Sequence, residues 1–182
     1  MSHTVFLAFG SNLGNRKENL SRALELLKHE GLKPVSVSLP VITAPEGFES
    51  SNQFLNSAAI FTTESSPFEV LKITQRIERT LGRMQKSHDG IYHDRTMDID
   101  ILFYDNETIN TPELTIPHPK IADRLFVLRP LCEIAPLFRH PVTGKTIREL
   151  LDSACRQSAM PTRIAQKLFL INLQCIIILL IL

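Results

Sequence analysis

The chain reads as an α+β domain of ferredoxin-like type, a βαββαβ core in which helices pack on one face of an antiparallel sheet and C-terminal additions follow. Three observations predict it. An apolar run, Thr4-Val-Phe-Leu-Ala-Phe9, passes through a turn-rich loop into an amphipathic stretch. Ser66-Pro-Phe-Glu69 is a strong helix start midway along the chain. From Met97 to Tyr104 side chains alternate with the period of a strand. At 182 residues, 43% hydrophobic and 21% charged, the chain suits one domain with a sizeable core.

Residues 4–9 form an apolar run suited to a buried strand. Gly10-Ser-Asn-Leu-Gly-Asn15 follows as a loop. It lacks the Gly-x-x-x-x-Gly-Lys-Ser/Thr pattern, so a tight turn and a phosphate-binding loop both fit. Asn15 is suited to cap a helix over 16–29, with Leu20, Ala23, Leu24 and Leu27 on one stripe and Gly31 as its stop. Over 32–42, Val35, Val37, Leu39 and Val41 alternate with polar or proline positions, and Pro34 and Pro40 predict an edge strand or a bulge. A polar loop holding Thr43 and Gly47 leads to a strand over 54–63. Asn56, just inside it, offers a donor and an acceptor either to loop backbone or to a heterocycle.

Ser66 as N-cap, Pro67 in the first turn and Glu69 completing a capping box start the second helix. Val70, Ile73, Ile77 and Leu81 form its buried stripe, Gly82 ends it, and Gln75 and Glu78 share a face. Residues 83–95 make a polar loop carrying Arg83, Lys86, His88, His93 and Arg95. Such a loop is either simply solvated or, leading as it does into the next strand, a phosphate clamp. In that strand Met97, Ile99, Ile101 and Phe103 share one parity, and Asp98, Asp100, Leu102 and Tyr104 the other. At a rise of ~3.3 Å per residue the Asp98 and Asp100 Cα atoms lie roughly 6–7 Å apart on one face, where like charges repel. Either both carboxylates face solvent, or a divalent cation compensates them, and hard oxygens suit Mg²⁺. Beyond it come a turn at 105–106, a short strand near 107–109, a return through 114–118 and a short helical stretch holding Arg124 and Phe126. Irregular core over 127–136 and a terminal helix over 146–154 complete the order. A lone histidine such as His118 is more often a satisfied structural residue than a catalyst.

The net charge of +1 argues against binding nucleic acid through bulk charge. Cys132, Cys155 and Cys175 form no Cys-x-x-Cys pair, which predicts neither a disulfide framework nor zinc and fits a reducing cytosol. The first ten residues lack the pattern of a signal peptide.

Taken together, Gly10-Ser-Asn-Leu-Gly14, Phe54-Leu-Asn56, Gln75-Arg-Ile-Glu78, Gly82-Arg83, the run from Asp94 to Phe103, Ile116-Pro-His118, Arg124-Leu-Phe126 and Pro130-Leu-Cys-Glu-Ile-Ala-Pro136 closely resemble the 6-hydroxymethyl-7,8-dihydropterin pyrophosphokinases of folate biosynthesis. The resemblance runs from about residue 4 to about residue 151. It implies transfer of the β,γ-pyrophosphoryl group of ATP to the pterin's hydroxymethyl oxygen, with release of AMP. It also implies that Asp98 and Asp100 hold two Mg²⁺ ions and that Phe54 and Phe126 sandwich the pterin. Asn56, with backbone near Thr43 and Gly47, would read the pterin edge. Gln75, Glu78, Ile101, Thr115, His118 and Arg124 would surround ATP. Arg83 and Arg95 match basic loop positions, with Arg95 and Arg124 carrying most of the phosphate charge.

The chain departs from the family pattern where Gln85 replaces an Arg of some members. The run around Asp89-Gly90 stands for an Arg-Trp pair, with Tyr92 as an aromatic substitute, and Pro119 follows His118 where an aromatic often does. The residues that cover the site on loop closure are therefore open.

Residues 168–182 are strongly apolar but short of the ~20 needed to span a bilayer. A partial anchor, a tail packed on a partner and an extension without a role all fit; we favour the last. The expectation is a catalytic domain over 1–164 and an apolar tail over 165–182, in a cytoplasmic monomer using ATP and the pterin and neither nucleic acid nor membrane. The competing readings are a non-enzymatic ferredoxin-like module for nucleotide or RNA, which would need exposed sheet aromatics and a basic face, and a sugar-nucleotide transferase using Asp-x-Asp.

Overall fold

The computed structural model describes residues 1–47, 49–82 and 93–159. Strands β1 (His3–Ser11) and β4 (Phe54–Thr63) pair antiparallel at the centre of the sheet. β5 (Asp98–Tyr104) flanks β1, while β2 (Lys33–Val37) and β3 (Val41–Thr43) flank β4 in succession. A small hairpin, β6 (Ile109–Asn110) with β7 (Thr115–Ile116), lies apart. The order β2-β4-β1-β5 is that expected of a βαββαβ core.

Helices α1 (Arg16–His29) and α2 (Pro67–Thr80) start as expected. The Asn15 side chain accepts from the Glu18 N–H, and Ser66 and Glu69 form a complete capping box. Leu20, Ala23 and Leu27 of α1 and Val70, Ile73 and Ile77 of α2 bury against Val5, Leu7 and Phe9 of β1.

The other face is also covered, which the expectation of helices on one face did not include. Helices α3 (Leu125–Ile134) and α4 (Ile147–Ala159) pack Val127, Leu128, Leu131, Ile147, Leu150 and Ala154 against Phe6 and Ala8. Residues 127–134, expected to be irregular, are thus helical despite Pro130 inside the helix. An interior proline costs ~3 kcal/mol, but fully burying each of Val127, Leu128 and Leu131 contributes about 1.5–3 kcal/mol, so burial wins. Helix α4 runs five residues past the expected end at 154, and Thr146 and Glu149 cap it reciprocally.

Two strands differ from their alternation. Residues 32–42 divide into β2 and β3 on either side of Pro40, and the apolar parity points outward: Val35 is 62% and Leu39 72% exposed. Ser38 is the buried one, its hydroxyl accepting from the Ala58 N–H at 3.0 Å and paired with Ser57 at 3.1 Å. In β5, Leu7 pairs with Ile101 but Phe6 with Phe103, so Leu102 is an extra, bulged residue. Beyond it the faces exchange. Tyr104 joins Ile101 under α1 and α2, while Phe103 turns to α3 and α4. Before the bulge the alternation holds, and that half carries Asp98 and Asp100.

Cys132 and Cys155 are free thiols, and among the described residues no helix is long and apolar enough to cross a membrane.

Candidate active site

The site is built on the middle strand. Gly10 of β1 pairs with Asn56 on one side and Asp98 on the other; Ala8 pairs with Ala58 and Asp100. These positions share the face toward α3, and the two smallest side chains of β1 form the floor of an open cleft of about 510 Å³. A Cβ at Gly10 would meet Asn56 Oδ1 at 3.4 Å, the Phe54 ring at 3.8 Å and Asp98 Cβ at 3.9 Å. Glycine keeps that floor low.

One wall is aromatic and polar. Phe54 and Asn56, two apart on β4, face the cleft together, and Phe126 enters from the first turn of α3. Asn56 is buried, and its Nδ2 donates to Thr43 Oγ1 at 2.9 Å. Gly47, at φ 84°, turns the rim loop in a conformation that side chains rarely adopt.

The opposite wall is charged. Arg95 Nη1 lies 3.2 Å from Asp98 Oδ2, and Arg124 Nη1 lies 4.0 Å from Asp100 Oδ2. The same guanidiniums sit over the aromatic wall, Arg95 5.3 Å from the Phe54 ring centre and Arg124 5.5 Å from that of Phe126. Repulsion between the aspartates is therefore offset by arginines, a compensation that a reading of the strand alone did not foresee. His118 lines the same cleft. Burial, and secondarily Arg124, push its pKa down to about 4. Its Nδ1 accepts the Lys120 N–H at 3.2 Å, which leaves the proton of the neutral ring on Nε2.

Four expected residues lie outside this lining. Glu78 is buried under β5, where its Oε1 accepts the Ile99 N–H at 2.8 Å. Gln75 is half-buried one turn earlier on α2, and Ile101 belongs to the core. Thr115 lines an adjoining hollow that shares His118 with the cleft. Arg83, like Gln85, Asp89, Gly90 and Tyr92, lies outside the described residues. Conversely, Ala8, Gly10, Lys120 and Asp123 line the cleft and were not expected there. The shared parity of Phe6, Ala8 and Gly10 was the available signal for the floor.

Among the described residues no group of three or more His, Cys, Asp or Glu converges. The donor set is two carboxylates on one strand face. That is the number Mg²⁺ takes when water and substrate phosphates complete its shell, so the residues fit it.

A family model described as 7,8-dihydro-6-hydroxymethylpterin-pyrophosphokinase (HPPK) matches residues 6–136. The chain belongs to this family. It is 46% identical over 138 residues to the 2-amino-4-hydroxy-6-hydroxymethyldihydropteridine pyrophosphokinase of Porphyromonas gingivalis, covering 75% of this chain and 93% of that protein. The enzyme of the same name from Bacillus subtilis is 43% identical over 135 residues, covering 74% and 79%. Folic acid synthesis protein fol1 of Pneumocystis carinii is 34% identical over 160 residues, 88% of this chain but 21% of that one. The crystal structure of wild-type Plasmodium falciparum HPPK-DHPS with SDX-DHP superposes with a TM-score of 0.69 at 18% identity, over 84% of this chain and 44% of that one. That likeness shows the fold, and this chain spans less than half the length of that solved chain. The pyrophosphokinase family and its folate-synthesis relatives favour an enzyme over a non-enzymatic binding module.

Proposed function

We propose that this chain transfers the intact β,γ-pyrophosphoryl group of ATP to the hydroxymethyl oxygen of 6-hydroxymethyl-7,8-dihydropterin. In that reaction the hydroxyl oxygen attacks the β-phosphorus, the bond from that phosphorus to the oxygen bridging to the α-phosphate breaks, and AMP leaves with the bridging oxygen. The hydroxyl proton passes to solvent. The observation that carries this reading is the register across β4, β1 and β5, with an aromatic and amide wall beside a carboxylate and arginine wall.

Phe54 and Phe126 hold the flat ring by stacking, with Asn56 and the backbone near Thr43 and Gly47 reading its edge. The ring would take the place the two guanidiniums occupy over the phenyl faces. Arg95 and Arg124 are then released toward phosphate oxygens, which a guanidinium grips bidentately. Neutral His118 donates from Nε2 to phosphate, and Gln75, Glu78, Ile101 and Thr115 frame the nucleotide, with Arg83 as a further cation. Asp98 and Asp100 would hold Mg²⁺, which when bound supplies charge neutralisation for the triphosphate and acidifies the substrate hydroxyl. Transfer of this kind needs positioning and electrostatics more than covalent help.

The test is AMP release from ATP, pterin and Mg²⁺, compared with Asp98→Ala. Pterin-dependent AMP that falls by at least about 10²–10³-fold in the variant supports the reading. No AMP from folded wild-type protein overturns it. A catalytic unit within residues 1–164, acting as a cytoplasmic monomer, belongs to the same proposal and predicts full turnover at the lowest protein concentration assayed.

A further inference from the structure

Asp94 precedes the start of β5 by four residues, and its carboxylate is where three loops meet. Its Oδ1 accepts from Asn12 Nδ2 at 2.5 Å, and its Oδ2 accepts from Asn52 Nδ2 at 2.7 Å. Asn12 belongs to the loop between β1 and α1, Ser50 and Asn52 to the loop between β3 and β4, and Asp94 to the segment entering β5. Asn12 closes the circuit: its Oδ1 accepts the Arg95 N–H at 2.7 Å, and the Arg95 carbonyl accepts the N–H groups of Asn12 and Leu13 at 3.1 and 3.2 Å. Asn19 Nδ2 extends it by donating to the Leu13 and Thr96 carbonyls, both at 3.0 Å.

We propose that Asp94 is a positioning residue that ties the loop leading to Phe54 to the segment carrying Arg95, setting the ring-binding wall against the phosphate-binding wall before substrates arrive. The role rests on the pyrophosphokinase reading of the cleft. Its chemistry is specific to an anion. Two amide donors from different loops converge on one side chain, one on each oxygen, and only a carboxylate accepts with both oxygens. The Ser50 hydroxyl, then Asn52 and Asn12, and finally the Arg95 charge hold it below the usual carboxylate range, ionised at neutral pH. Asparagine has the same shape but turns an NH₂ toward one of the two donors, so it cannot close the circuit. Loops ordered in advance need not be ordered at binding, which is where the gain in affinity arises.

The experiment pairs hydrogen exchange on the free protein with steady-state kinetics for Asp94→Asn and Asp94→Ala. Exchange at the amides of Asn12 and Leu13 and across 49–53 should rise together by about tenfold, the scale of one lost charge-assisted hydrogen bond. Exchange in the centre of β1 and in α4 should stay as in wild type. The pterin KM should rise by a similar factor while kcat at saturation changes less, a split that a general loss of stability would not produce. Exchange that is unchanged, or raised only at 93–95, overturns the proposal; so does a fall in kcat with pterin KM unmoved. Should neither variant fold, Asn52→Ala cuts one connection and should loosen 49–53 while sparing 12–13; no loosening there overturns the proposal. If wild-type protein makes no AMP, the reaction is wrong, yet the exchange arm still tests the loop coupling by itself.

Discussion

Gly10 has no side chain, and three site residues lie within van der Waals range of where one would begin. Gly10→Val puts branched carbon between Asn56 and Asp98, and should weaken pterin binding at least about tenfold, measured by titration of the free enzyme. On the rim above, the arginines each bridge an aspartate and a phenyl ring. His118 carries a pH signature. Its folded pKa lies at about 4, against about 6.5 for an unfolded histidine. Between those values the unfolded chain binds the extra proton, so stability is complete above pH 6.5 and falls as pH drops toward 4. His118→Gln should flatten that part of the curve in chemical denaturation at pH 4.5 and 7. Because the ring is neutral at pH 7, the kcat/KM profile should carry no step from His118 near 6.5.

Strand β5 does its work in two halves divided by the bulge at Leu102. The first half keeps Asp98 and Asp100 toward the cleft and buries Ile99 and Ile101 beneath α1 and α2; the second exchanges faces to complete the layer under α3. The start of that strand depends on α2. Buried Glu78 accepts the Ile99 N–H, and its removal strands a buried donor at a cost of about 1–3 kcal/mol. Glu78→Ala should therefore lower the Tm by about 2–12 °C in a protein of this size. Glu78→Gln, which retains an acceptor, should recover most of it. An ATP KM that remains raised in the Gln variant would separate a nucleotide contact from the structural one.

For the molecule as a whole, the family match ends at residue 136, while α4 continues the core beyond it through Ile147, Leu150 and Ala154. The apolar run at 168–182 lies outside both the match and the described residues. Deleting residues 166–182 should leave turnover within about twofold, because every described residue that lines the cleft precedes it. Loss of turnover in a still-soluble truncation would assign the tail a role.

Local signals carried much of this protein in the sequence. Capping residues placed both early helix starts, and period-two spacing put Asp98 with Asp100 on a single face, because those properties depend on neighbours within one turn or one pleat. Other features depended on partners far along the chain. The bulge at Leu102 exists only in the register with β1, and the outward Val35 and Leu39 reflect a sheet edge whose buried position went to a hydrogen-bonded serine. Pro130 stays helical because a sheet face needs covering, and Gly10 becomes a floor only once β4 and β5 flank it. The joining of Asn12, Asn52 and Asp94 belongs to the same class: hydrogen bonds between loops are set by where the sheet delivers their ends, which local spacing does not record.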